Sequence, residues 1–133
     1  MAPVLDANVV LRHLLDDHAE QSPRARETLA ALASGERRAI LPEPVIFEAV
    51  FTLERRQGRS RQLVRDQMRE LIELPGVTVP NKRLLLDALD IHAQLSISLV
   101  DAYIGALARE SDGQVISFDR DFDRIPGVTR VEP

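Results

Sequence analysis

Short apolar runs alternate with longer amphipathic or apolar stretches along this chain, and the two patterns predict two kinds of element. The short runs, bounded by turn residues, are typical of buried strands, whereas the longer stretches have helical length and begin or end at helix-capping residues. The predicted strands are 2–5, 38–41, 77–79, 114–118 and 129–131. The predicted helices are 9–15, 22–35, 42–55, 60–74, 81–94 and 99–109.

Local signals support several of these boundaries. Ser22 followed by Pro23 is typical of a helix start, with the hydroxyl as N-cap and the proline in the first turn, and Gly35 is placed to end that helix. Ser60 is predicted to cap the amphipathic helix that Pro75 terminates. Strands that alternate with helices favour an α/β fold, a three-layer α/β/α sandwich around a small parallel sheet.

Length and composition indicate the number of domains, the cellular location and the kind of metal ligand. The 133 residues, 44% of them hydrophobic, suit one compact domain, so 1–133 is expected to be a single domain. No apolar run of roughly 18 residues is present, and the N-terminal sequence lacks signal-peptide features, so a cytoplasmic protein without a membrane segment is expected. With no cysteine, 21 acidic residues and three histidines, any metal is expected on oxygen ligands.

Two acidic residues stand inside predicted helices that are otherwise apolar. Glu48 is the only charged residue in PVIFEAVFTL, so it is expected to be buried, where a carboxylate without a cation is costly. Asp101 shares a helical face with Ile97, Ile104 and Ala108. Each has an ordinary alternative. Glu48 could lie on a solvent-exposed side of its helix or pair with an arginine, and Asp101 could stabilise the positive end of its helix dipole.

Two further carboxylates follow predicted strands. Asp6 and Asp119 come directly after apolar runs, and in open parallel sheets the functional crevice lies at the carboxyl ends of the strands. Asp6 has an alternative as the N-cap of the following helix, a role for which Asn8 competes. The alternating Asp119, Asp121 and Asp123 superficially resemble a calcium loop, but arginine occupies the positions where that loop needs glycine and glutamate.

Together these carboxylates predict a site for one or two Mg²⁺ or Mn²⁺ ions held by Asp6, Glu48, Asp101 and Asp119, with Asp121 as an auxiliary ligand. Hard cations prefer oxygen ligands, keep several waters and bind substrate phosphates. The chemistry that follows is phosphodiester hydrolysis by an activated water, for which no side-chain nucleophile is required.

Four segments also carry a family resemblance: LDANVVLR, VIFEAVFTLER, LVDAYIGALA and SFDRDFDRI. In these motifs and their order the chain resembles the PIN-domain family over essentially its whole length, and it is most similar to the VapC toxins of toxin–antitoxin pairs. The resemblance implies a metal-dependent endoribonuclease that leaves 5′-phosphate and 3′-hydroxyl ends. It places the acidic quartet of the family at the same four carboxylates.

The resemblance implies further roles and partners. Asn8 matches the small polar residue that orients the first aspartate, and Ser117 stands where the family usually has threonine. A homodimer is implied, together with a VapB-like antitoxin whose tail places an arginine or other blocking groups in the acidic crevice. The RNA-contacting residues are not fixed; candidates are Arg55, Arg56 and Arg59, with a solvated and ion-paired helix surface as the alternative.

Other interpretations compete with the ribonuclease. A haloacid-dehalogenase-like phosphatase needs a second aspartate where this chain has Asn8, and a flap-type DNA nuclease normally needs a longer chain. A non-catalytic interaction module, with an acidic crevice that binds a basic partner tail, stays open. His13, His18 and His92 show no ligand spacing and are expected at the surface.

Overall fold

The computed structural model describes residues 2–133, in which helices dominate and the strands are short. The helices are α1 (Ala7–Leu15), α2 (Gln21–Ser34), α3 (Glu43–Phe51), α4 (Arg61–Ile72), α5 (Lys82–Leu95) and α6 (Leu99–Glu110). The strands are β1 (Ala39–Ile40), β2 (Val77–Thr78), β3 (Gln114–Ile116) and β4 (Thr129–Val131). A π-helical turn, Thr52–Arg56, continues α3, and a 3-10 turn, Arg120–Arg124, follows β3.

All the strand pairs are parallel, which confirms the predicted α/β class. β1 pairs with β2, β3 pairs with β4, and Val4 forms a single parallel bridge to Ile40 of β1. The expectation of one continuous sheet is wrong in detail, because the ladder hydrogen bonds of the described residues form two separate sets. Strands of two or three residues make few ladder bonds, so helix packing carries most of the fold.

The extended segment 3–5 and strand β3 each turn one side toward the core. Leu5 is buried and its neighbour Val4 is exposed; Val115 is buried and its neighbour Ile116 is exposed. Leu41, directly after β1, is also buried. This alternation follows from the two-residue period of an extended backbone. The extended segment 3–5 leads directly into Asp6, and β3 is followed by two residues and then by Asp119.

Helix α4 shows how the sequence specifies its own packing. Ser60 caps it as predicted, because the hydroxyl oxygen accepts a hydrogen bond from the amide of Leu63 at 3.1 Å. Its buried side chains are Val64, Met68, Leu71 and Ile72, at the helical spacing that forms one stripe. That stripe belongs to the main hydrophobic core.

Helix α2 begins differently from the prediction. It starts at Gln21, and Ser22 lies inside its first turn with a buried side chain. The Ser22 hydroxyl still serves the helix entry, since it accepts a hydrogen bond from the amide of His18 at 3.1 Å. None of the helices in residues 2–133 has the length and apolar character that crossing a membrane requires.

Candidate metal centre

The turn after β3 is built around Asp119. The amide of Asp119 donates to the hydroxyl of Ser117 at 2.9 Å, and its own carboxylate accepts from the amide of Asp121 at the same distance. Asp119 is therefore the N-cap of the 3-10 turn, and the cap brings the start of that turn back against it. The hydroxyl at Ser117 organises the segment that carries Asp119.

Asp101 lies in the first turn of α6 and is half-buried. Ser98 is the N-cap of this helix, and its hydroxyl accepts a hydrogen bond from the amide of Asp101 at 3.2 Å. Ser98 fills the capping role at this helix start, and it also forms a hydrogen bond with the Asp101 side chain. The face that was expected to be wholly buried is not, since Ile104 is partly exposed while Ile97 and Ala108 are buried.

The carboxylates of Asp101, Asp119 and Asp121 converge. One oxygen from each lies within 4.8 Å of the others, close enough for a single cation to contact all three. Burial raises the pKa of Asp101; the hydrogen bond with Ser98 opposes that rise, and the negative charges of Asp119 and Asp121 add to it. A divalent cation would offset this repulsion, and oxygen-only donors suit Mg²⁺ or Mn²⁺.

Asp121 occupies a more central place than the sequence indicated. The alternation of aspartates favoured Asp119 as the residue aimed into the crevice and left Asp121 as an auxiliary. Asp121 and Asp123 have different roles. Asp121 belongs to the acidic cluster, whereas Asp123 forms an ion pair with Arg130, with Oδ1 3.1 Å from Nε.

The prediction that Glu48 is buried is wrong. Its side chain is exposed, because α3 turns Ile46, Ala49 and Val50 toward the core and leaves Glu48 on the opposite side. The structure adopts the alternative in which Glu48 lies on a solvent-exposed side of a helix that is otherwise largely apolar. Within residues 2–133 no arginine lies at ion-pair distance from Glu48.

Asp6 is exposed at the N-cap position of α1, but its side chain makes no capping hydrogen bond. The capping alternative for Asp6 is therefore not adopted, and the carboxylate is free. Neither Asp6 nor Glu48 belongs to a group of three acidic or histidine side chains that converge within 4.8 Å in the described chain. Asn8, expected to support Asp6, is exposed on α1.

The arginines proposed for RNA contact differ in availability. Arg55 and Arg56 are exposed. Arg59 has a structural role, since its guanidinium donates to Oε1 of Gln67 at 3.0 Å and to the carbonyl of Leu14 at 3.1 Å. Only the first two remain open candidates on this surface.

His92 was expected at the surface and is instead buried, with 3% of its surface exposed. It lies on the core side of α5, where Leu85, Ala88 and Leu89 are also buried. The spacing of these residues by three, four and seven positions is the signal that would have located it. Its two ring nitrogens contact Ile97 and the carboxylate of Glu54.

The fold and the site define a small α/β protein with a cluster of carboxylates suited to a hard divalent cation. A sequence model of the PIN domain matches residues 4–128, so the chain belongs to the PIN-domain family. A comparison with curated proteins gave no match. PIN domains are generally metal-dependent nucleases that act on phosphodiester bonds, which agrees with the donor set of the acidic cluster.

Proposed function

We propose that this protein is a divalent-metal-dependent endoribonuclease, the toxin of a type II toxin–antitoxin pair. The observation that carries the proposal is the convergence of Asp101, Asp119 and Asp121 within 4.8 Å at the edge where β3 ends. Membership of the PIN-domain family makes a nuclease the expected use of such a site. The choice of RNA and the toxin role come from the likeness of the four acidic motifs to VapC toxins.

The chain's own residues have distinct tasks in this proposal. Ser98 and Ser117 fix the backbone beside Asp101 and Asp119, so the two carboxylates are held before any ligand arrives. Asp6 and Glu48, both exposed, complete the acidic quartet, and Asn8 supports Asp6. One or two Mg²⁺ or Mn²⁺ ions, when bound, supply water activation and stabilise the charge that develops on the phosphate.

The proposed partners come from the likeness to VapC toxins, and the site and α6 each offer a surface for one of them. A VapB-like antitoxin would silence the enzyme by placing a basic side chain against the three carboxylates. A homodimer would cover an exposed apolar stripe on α6, where Val100, Ile104 and Leu107 lie on one side. Phe51 at the end of α3 is also exposed, and α3 packs against α6.

The competing function is a non-catalytic module whose acidic cluster only receives a basic partner tail. The half-buried position of Asp101 and its repulsion by two neighbouring carboxylates favour a divalent cation over a single guanidinium. The two functions differ in one measurable property, because only the nuclease cleaves RNA, and it does so only with metal.

Cleavage of RNA by the purified chain, freed of any co-expressed partner, tests the proposal. Total RNA and transfer RNA are incubated with wild type, Asp101→Asn and Asp123→Asn, each with Mg²⁺, Mn²⁺ or EDTA. Asp123 is the matched control because it lies in the same turn but pairs with Arg130 outside the cluster. Discrete cleavage by wild type and Asp123→Asn alone, abolished by EDTA, is expected; RNA left intact by the metal-loaded wild type would contradict the proposal.

A further inference from the structure

Three adjoining cavities form one shallow groove along α1, α2 and the extended segment 3–5. Their volumes are about 330, 260 and 400 Å³. The first and second share Val9 and Thr28 in their walls, and the second and third share Pro3, Arg37 and Arg38. The shared walls place the three cavities side by side along this surface.

The groove is strongly positive although the chain has a net charge of -4. Arg12 and Arg24 line one end, and Arg37 and Arg38 line the other. Asp6 is the only acidic residue in its described lining. A local excess of arginine on an acidic protein marks a surface suited to a polyanion.

Most of these arginines are not engaged by the protein itself. Arg24, Arg37 and Arg38 are exposed, and no carboxylate of residues 2–133 lies within ion-pair distance of them. Arg12 is engaged: it donates to Oε1 of Gln21 in the groove wall at 2.8 Å and lies 3.5 Å from Asp17 outside the groove. Free guanidinium groups in a row can each bind a phosphate by two parallel hydrogen bonds.

The groove also passes residues of the proposed nuclease site. Asp6 lines the middle cavity, and Asn8 lines the first. A chain of phosphates lying along the arginines would therefore run past the Asp6 carboxylate.

We propose that this groove binds the sugar–phosphate backbone of an RNA strand through Arg24, Arg37 and Arg38 and guides it past Asp6. This inference rests on the proposed ribonuclease function and adds to it the residues that hold the substrate. The main RNA contact is then in the groove beside α1 and α2, and not at Arg55 and Arg56 after α3. Because the contacts are to phosphates, binding is expected to depend strongly on salt and little on base sequence.

Fluorescence anisotropy with a labelled RNA oligonucleotide measures the groove directly. The full chain carries Asp101→Asn so that cleavage cannot distort the reading, and Arg24→Ala, Arg37→Ala and Arg38→Ala are added singly and together. Each single change is expected to weaken binding about 3- to 10-fold and to lower the salt slope by about one. The matched control is Arg83→Ala, which removes an exposed arginine on α5 and is expected to leave affinity within about twofold.

The outcomes separate this inference from the function on which it rests. Groove variants that bind RNA as tightly as their parent, or a loss at Arg83→Ala equal to theirs, would overturn the groove even if wild type cleaves RNA. A selective loss in the groove variants would support it even if wild type leaves RNA intact. Circular dichroism on every variant confirms that the fold is retained.

Discussion

Nε2 of His92 lies 2.8 Å from a carboxylate oxygen of Glu54, in a place where both side chains are largely buried. Nδ1 of the same ring lies 2.5 Å from the carbonyl of Ile97 and must carry a hydrogen, because a carbonyl only accepts. The ring therefore ties the π-helical turn that bears Glu54 to the connection between α5 and α6. Ile97 directly precedes Ser98, the cap of the helix that carries Asp101.

Glu54→Gln is expected to destabilise the protein by about 1–3 kcal/mol, since it replaces the carboxylate in a largely buried hydrogen bond with His92. Urea unfolding gives the change in free energy. Glu73→Gln is the control, because Glu73 lies 3.9 Å from Arg69 in an exposed pair and such pairs contribute less than about 1 kcal/mol. Equal effects of the two substitutions would contradict the role assigned to His92 and Glu54.

His13 is expected to make stability depend on pH. Burial lowers its pKa, the nearby charge of Arg26 adds to the lowering, and Glu70 and Asp16 oppose it. The unfolded chain therefore binds this proton more readily, so the stability is fully present above pH of about 6.5 and is lost as the pH falls through the lowered folded-state value.

His13→Leu is expected to reduce that loss of stability between about pH 7.5 and 5. The side chain is only partly buried, so the difference should be about 0.5 kcal/mol or less. Nδ1 has no hydrogen-bond partner among the described residues, so leucine leaves no group unsatisfied. Parallel unfolding curves for the two proteins across this range would count against the prediction.

Gly76 is expected to tolerate no side chain. A Cβ there would lie 2.1 Å from the carbonyl oxygen of Arg37 and 2.8 Å from that of Leu32, and backbone atoms cannot move aside cheaply. Gly76→Ala should cost more than about 2 kcal/mol. Gly58→Ala, with open space around it but a φ of +69°, should cost only about 1 kcal/mol by thermal unfolding. A larger loss of stability in Gly58→Ala than in Gly76→Ala would show that the turn at Gly76 is not tightly packed.

The proposed homodimer predicts a change of mass on substitution at α6. Leu107→Glu places a charge in the exposed apolar stripe and is expected to give a monomer by light scattering coupled to gel filtration. Leu63→Glu, at a comparably exposed leucine on α4, should leave the mass unchanged. A wild-type monomer at micromolar concentration, or equal behaviour of both variants, would contradict the dimer.

Local signals in the sequence predicted much of the fold. Ser60 caps α4 because its hydroxyl finds an amide three residues away, an interaction fixed by neighbouring residues alone. The sequence also predicted that Asp101, from a helix, and Asp119, after a strand, would lie in one acidic site, and the two carboxylates do converge. The rule that strand ends meet at one edge concerned Asp6 and Asp119, and Asp6 lies outside the cluster. These features depend on short stretches of chain or on general topology.

Local sequence signals could not predict the features that depend on which side of a helix faces the core. Glu48 lies in an apolar helix, and only the packing of α3 decides that its side is exposed. The burial of His92 requires Glu54 to approach from a distant segment. The arginines of the groove are spread from Arg12 to Arg38 in sequence, so they form no visible cluster until α1, α2 and β1 pack together.

Calorimetry of Mn²⁺ binding to the metal-free full chain tests whether the acidic cluster is a metal centre. Wild type and Asp123→Asn should bind the ion alike, and Asp119→Asn should bind at least about tenfold more weakly, a difference of about 1.4 kcal/mol. That result would place the cation on the carboxylates of Asp101, Asp119 and Asp121. Equal binding by all three proteins, or none by wild type, would contradict a metal centre at the end of β3.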